Sequence, residues 1–353
     1  MHATIHIGTG KTGTSSIQHL LCSNYELLRE QDCLYPALHP RRRLIDHNPL
    51  TMHLAFGWPM EPLSLLRSEL TASGCRHLLI SSEFMSEHLK SPELVMRLKH
   101  LLLEVGCSHF TIVVWLREPG ALFASLCSQF VKGGRPEYRH TMGPQANPRF
   151  RSIMDSRGIL RRWMEVFGRE ALRVRLFERQ TFVNGDLLQD AIAAFGLAWD
   201  ERFAIPPRVN EGLNLLETEL LRVINHLQPG HPAAGGGTPK SWILEVLHRH
   251  AGVLDGSQLR FVPPQAVVRA WREWAAEGNE WVRQEFFPDR TTLFAPPKEQ
   301  AENYELRSMT PGCWEALGRV LCELGEENFR LRRQLQQLRS EGVTGRASGR
   351  VQP

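Results

Sequence analysis

No hydrophobic run in this 353-residue chain approaches the roughly 20 residues that a membrane-spanning helix needs. The first strand begins too near Met1 to leave room for a secretory leader, so the expectation is a soluble, cytoplasmic protein without a transmembrane segment. Cysteine is sparse and unpaired in pattern: Cys22, Cys33, Cys75, Cys107, Cys127, Cys313 and Cys322 are odd in number and contain no Cys-x-x-Cys, as free thiols in a reducing compartment would be. Charge of one sign is lacking as well. The formal net charge of +4 gives no case for a nucleic-acid partner, and the local cluster Arg41, Arg42 and Arg43 reads as a solvated loop. No cluster of histidine, cysteine and carboxylate shows metal-ligand spacing, so no metal is expected.

What is present is core-forming material and one dense stretch of polar chemistry. With 42% hydrophobic residues the chain can bury a large core, divided into an α/β domain and an appendage. Ile5 and Ile7 alternate with Thr4 and His6 as a short strand, which runs straight into Gly8, Gly10 and Gly13 around Lys11. Glycines let consecutive N–H groups aim at one point, and the helix opening near Thr14 adds unpaired amides and the positive end of its dipole. Thr12, Thr14, Ser15 and Ser16 bring four hydroxyls beside the Lys11 cation. Such a concavity suits phosphate or sulfate. It is not a nucleoside triphosphatase loop, because the Gly10-Lys11 pair would require a glycine at position 5, which is Ile5.

Two further strands deliver polar groups at their ends. His77 to Ile80 is a continuous apolar run of the buried parallel type, ending on Ser81, Ser82 and Glu83. The strongest strand, His109 to Leu116, delivers Arg117, followed by Glu118, Pro119 and a helix to about Val131 that carries Ser125. A guanidinium at a strand end and a hydroxyl from the next helix can bind one phosphate from two sides. Ligands of open α/β sheets lie at these strand ends, so Glu83 places a carboxylate near the same anion.

The Lys-Thr-Gly-Thr-Ser order from Lys11 to Ser15 resembles the 5′-phosphosulfate loop of bacterial-type sulfotransferases that use 3′-phosphoadenosine 5′-phosphosulfate. The strand ending in Arg117, with Glu118, Pro119 and Ser125 eight positions on, resembles the 3′-phosphate motif of the same family. Pro207 to Leu213 resembles a third family stretch, Arg-x-Asn-Glu-Ser-Leu, with Gly212 where serine is usual, and offers Arg208 as a donor contact. The resemblance implies a P-loop-like, doubly wound, mostly parallel sheet flanked by helices. It implies that Lys11, Thr12, Gly13, Thr14, Ser15, Ser16, Arg117, Ser125 and Arg208 bind the donor, without a metal. It further implies transfer of the sulfuryl group to a hydroxyl or amine of a saccharide, lipid or small metabolite. Lys11 would neutralise the leaving oxygen and Glu83 would take the acceptor's proton, with His47 and His53 as alternative bases. A nucleotide or small-molecule kinase with a variant P-loop and a non-catalytic nucleotide-binding adaptor dimerised by its C-terminal helix are the competing readings.

Residues 1–295 are expected to form this domain, 296–312 a linker, 313–341 a helix and 342–353 a disordered tail. Between them, Ser15 to Glu30 and Arg151 to Phe167 each read as one helix, and Leu34 to Asn48 as irregular. Trp314, Leu317, Leu321, Leu324, Asn328, Leu331, Leu335 and Leu338 follow the a/d spacing of a coiled coil, which would join two chains through 314–338. The same helix folded back on its own domain is the alternative, since Gly318 and Gly325 weaken it by about 1 kcal/mol each.

Overall fold

The computed structural model describes residues 1–39, 41, 43–135, 139–206, 212–227, 239–249, 260–296, 301–304 and 311–347. In chain order its elements are β1 (His2–His6), α1 (Thr14–Ser23), α2 (Tyr25–Glu30), β2 (Cys33–Leu34), α3 (Asn48–Phe56), α4 (Pro62–Ser73), β3 (His77–Ser81), α5 (Phe84–His88), α6 (Pro92–Glu104), β4 (His109–Leu116), α7 (Pro119–Lys132), α8 (Pro148–Met154), α9 (Ser156–Phe167), β5 (Leu172–Leu176), α10 (Leu187–Ala194), α11 (Leu215–Leu227), α12 (Pro239–Arg249), α13 (Gln265–Phe286) and α14 (Pro311–Ala347). They fall into two compact units. The first comprises Met1–Leu126, Arg139–Glu211 and Gln265–Gln300, and the second Cys127–Tyr138, Gly212–Pro264 and Ala301–Pro353.

The first unit is built on a five-stranded sheet of order β2-β3-β1-β4-β5, parallel throughout. Alternation within each strand feeds two cores. Ala3, Ile5, Leu78, Ile80, Ile112 and Val114 meet apolar stripes of α3, α4, α6 and α9 on one face. Leu79, Val113 and Trp115 meet Ile17, Leu20 and Leu21 of α1 and Ile192 of α10 on the other. Helices on both faces make the sheet doubly wound. Chain connections leave β1 toward β3 and leave β4 toward β5, so the reversal that opens a ligand crevice lies between β1 and β4.

Three local expectations need correction. The Ser15 to Glu30 helix breaks at Asn24, whose side-chain amide leaves the helix path to donate to the Leu20 and Ala204 carbonyls at 2.8 and 3.0 Å. Arg151 to Phe167 is two helices parted at Asp155, which caps α9 by accepting from the Gly158 amide at 2.9 Å. The supposedly irregular stretch begins with Leu34 in β2, too short a strand for periodicity to show.

In the second unit, Val131, Leu213 and Leu221 form one small apolar cluster, and Val246, Leu247 and Val320 another. The buried Lys240 ammonium donates to Asn225 Oδ1 at 3.0 Å, and Asn225 donates onward to the Val131 carbonyl at 2.8 Å. The first turns of α14 pack on α12 through this second cluster. Among the described residues no two cysteines form a disulfide. Among the described residues no helix is long and apolar enough to cross a membrane.

Histidine is placed unusually deep. Ser81 N–H donates to His47 Nδ1 at 2.9 Å, so the proton sits on Nε2, which donates to the Pro36 carbonyl at 2.9 Å. Burial pulls the His47 imidazole down to about 4 and that of His6 to about 3. Above pH 6.5 both rings are neutral whether folded or not. Below it the unfolded chain binds protons that the folded chain refuses, and stability falls by about 1.4 kcal/mol per pH unit per ring until the folded ring titrates. Denaturant melts from pH 7 to pH 4.5 should show this loss, and His47→Gln should flatten the slope. An equal slope in the variant would place the acid sensitivity elsewhere.

Candidate active site

Glu83 and Arg117 follow the strands that flank β1 on either side, and the loop from Ile7 to Gly13 lies between them. That loop is in the left-handed region at Gly8, Lys11 and Gly13, with φ of 39°, 71° and 76°. For Lys11, a residue with a side chain, this backbone is strained by about 1 kcal/mol or more and must be held by its neighbours. Arg117 holds it: one guanidinium nitrogen donates to the Lys11 carbonyl at 2.7 Å. Thr9 Oγ1 donates to the Trp115 carbonyl at 2.6 Å, Thr12 Oγ1 to the Thr9 carbonyl at 2.6 Å, and Ser86 Oγ to the Gly8 carbonyl at 2.5 Å.

These ties use the loop's carbonyls and leave its amides unused. Among the described residues the N–H groups of Gly10, Thr12, Gly13, Thr14, Ser15 and Ser16 have no protein acceptor; Ile17 N–H, bonded to the Gly13 carbonyl at 3.1 Å, is the first to find one. Six donors at a helix N-terminus form a nest for an anion. The Ser15 and Ser16 hydroxyls also make no hydrogen bond among the described residues and add to it. Thr12 and Thr14, expected as ligands of the same kind, use their hydroxyls within the protein.

Thr14 Oγ1 donates to Glu83 Oε2 at 2.9 Å. Glu83 Oε1 has no protein donor among the described residues. Burial raises the Glu83 carboxyl above its ordinary value, against the Thr14 hydrogen bond, while Asp46 and Glu87 push it further up and Lys11 pulls it down. The loop and this acid are in direct register: a methyl on Gly8 would lie 3.1 Å from the Glu83 Cα.

On the other side, Arg117 lies 5.3 Å from the centre of the Phe177 ring, and burial draws its guanidinium down from its ordinary value against the pull of Glu118. Glu118 is not aimed at a ligand. Its carboxylate accepts from the Gly120 and Ala121 amides at 3.0 and 2.7 Å, capping α7, and pairs with Arg272 at 2.7 Å. Ser125, in the second turn of α7, makes no hydrogen bond among the described residues. Arg208 lies outside the described residues.

Of the alternative bases, His47 has both ring nitrogens engaged in the β3 edge and cannot take a substrate proton without breaking it. His53 donates from Nδ1 to the Trp58 carbonyl at 2.7 Å. The arginine cluster is partly structural too: Arg43 donates to the Tyr35 carbonyl at 2.5 Å and lies 3.6 Å over the Tyr25 ring. Sequence reading passed over Thr9, Ser86, Phe177 and Leu187, the first two bracing the loop and the last two packing on Gly13. Thr9 stood within the motif, whereas nothing near residue 187 points to residue 13.

No protein-family profile matches the chain, and no curated protein matches it. Among solved structures, the crystal structure of a sulfotransferase from Alicyclobacillus acidocaldarius aligns at 18% identity and a TM-score of 0.38, over 63% of this chain and 95% of that one.

The three loop glycines are not equivalent. A methyl on Gly13 would meet Leu187 Cδ2 at 2.2 Å and keep a positive φ, while one on Gly10 would meet nothing within 4 Å. Gly13→Ala should therefore destabilise by about 1–3 kcal/mol and weaken anion binding, with Gly10→Ala within about 0.5 kcal/mol of the parent. Urea unfolding of both variants checks this, and equal effects would refute the packing assigned to Gly13.

Proposed function

We propose that this chain is a sulfotransferase that takes the sulfuryl group of 3′-phosphoadenosine 5′-phosphosulfate to a hydroxyl or amine acceptor. The observation that carries the reading is the nest of six amides around Lys11 that have no acceptor among the described residues, set between a half-buried carboxylate and a strand-end arginine. The nest suits the 5′ end of such a donor, and Arg117 with Ser125 suits its 3′-phosphate. When bound, the donor supplies an electrophilic sulfur and a bisphosphate leaving group.

The chain's own residues then have separable tasks. The loop amides with Ser15 and Ser16 orient the anion, and the Lys11 ammonium meets the charge that grows on the leaving oxygen. Glu83 accepts the acceptor's proton on Oε1 while Thr14 holds its other oxygen in place. Its raised proton affinity brings it closer to the working pH than an exposed carboxylate would be. The acceptor belongs to the class of saccharides, lipids or small metabolites. A kinase reading would require a carboxylate to hold Mg²⁺ near the transferred phosphate. Only Glu83 could serve, and the strand on the other side of the loop ends in Arg117, which suits an anion and repels a metal.

Calorimetry with adenosine 3′,5′-bisphosphate and with ATP–Mg²⁺ tests the reading, which a preference for the second ligand would overturn. Arg117→Ala should weaken the bisphosphate by about 10- to 100-fold and adenosine 5′-phosphosulfate much less. Equal weakening would reduce Arg117 to its brace on Lys11. In transfer assays with labelled donor, Glu83→Gln should lower turnover by about 10² to 10⁴ with donor binding nearly intact. Near-normal turnover in that variant would remove Glu83 as the base.

A further inference from the structure

The helix α14 has more apolar surface than its own unit covers. It runs 37 residues, about 55 Å. Cys313, Ala316 and Val320 are buried on one face, Leu324 packs beside them against α12, and Arg249 pairs with Glu323 at the same contact. Beyond Leu324 no described side chain of α14 is buried. The heptad seam lies mostly off the packed face: Trp314, Leu321, Leu331 and Leu335 are 64%, 68%, 48% and 55% exposed, and Asn328 is exposed between them.

The three turns from 325 to 335, uncovered and carrying a leucine stripe, are marginal as a lone helix in water, more so behind Gly318 and Gly325. The stripe is self-complementary. With Trp314, Leu321, Asn328 and Leu335 at a positions and Leu317, Leu324, Leu331 and Leu338 at d, a parallel partner in register sets Asn328 against Asn328. An antiparallel partner sets it against a leucine, leaving its amide unpaired in an apolar layer. Charge points the same way. Glu327 at g reaches Arg332 at e of a parallel partner, whereas antiparallel packing sets the e residues Arg332 and Arg339 against one another. In the single chain Glu327 pairs with Arg330 at 2.7 Å, and Arg332 has no partner among the described residues.

We infer that α14 joins two copies of this chain as a parallel coiled coil from about Leu321 to Leu338. The first turns remain docked on α12, with Leu324 at the boundary of that contact and the seam, so packing on the home unit and pairing with a second copy use largely different faces of one helix.

Sedimentation equilibrium of the full chain at 1–50 µM should give twice 40.3 kDa. Joint Leu331→Asp and Leu335→Asp changes should return 40.3 kDa with an unchanged thermal melt of the sheet, since both side chains are exposed in the single chain. Asn328→Cys in a Cys322→Ser background should cross-link 328 to 328 on mild oxidation, as peptide mapping would show. A monomeric mass for the parent chain overturns the proposal, and so does a mass above the dimer. A dimer that fails to cross-link at 328 overturns the parallel register.

Discussion

The contacts around the β1 loop answer to one constraint: six backbone donors stay together with no protein acceptor among the described residues. Unpaired amides are costly when buried, and a loop free to move would turn them toward its own carbonyls or toward water. Here the alternatives are closed off. The Gly8, Thr9 and Lys11 carbonyls are already occupied by Ser86, Thr12 and Arg117, and Thr9 anchors the loop to the Trp115 carbonyl of β4. The N–H groups are left without a protein acceptor among the described residues.

The parallel sheet makes this arrangement compact. Because all strands run the same way, the residues after β1, β3 and β4 emerge on one edge, and their tethers span only adjacent strands. Charge is then partitioned across β1. The acid on the β3 side is half-satisfied by Thr14 and raised in proton affinity by burial, while the arginine on the β4 side is kept beside an aromatic ring. For the proposed anionic donor, a carboxylate beside the loop would ordinarily be repulsive; the raised proton affinity of Glu83 and the Thr14 hydroxyl bound to it would reduce that repulsion.

Much of this was legible in the amino-acid order because it is local. The strand His109–Leu116 matched its expected bounds, since a long run of β-branched and aromatic residues has no helical competitor. The anion loop was legible for the same reason: three glycines, a lysine and hydroxyls are covalent neighbours, and their backbone geometry follows from spacing. Where a side chain answers to a distant residue the reading went astray or stayed silent. Thr14 was read only as a donor contact, and its hydroxyl also donates to Glu83, 69 positions away. Glu118 was grouped with the phosphate motif and instead caps α7 and holds Arg272. The break at Asn24 depends on the Ala204 backbone, and the burial of His47 on Pro36 and Ser81.

The sequence by itself thus determined the strand-turn-helix elements, the nest's composition, the polar residues delivered at strand ends and the heptad of α14, all set by neighbours within a few positions. Only the tertiary structure decided which hydroxyls remain for a ligand, which of Glu83 and His47 keeps an unoccupied proton acceptor, and which face of α14 is already covered. Those outcomes turn on hydrogen bonds and packing between residues tens of positions apart. No local spacing encodes them.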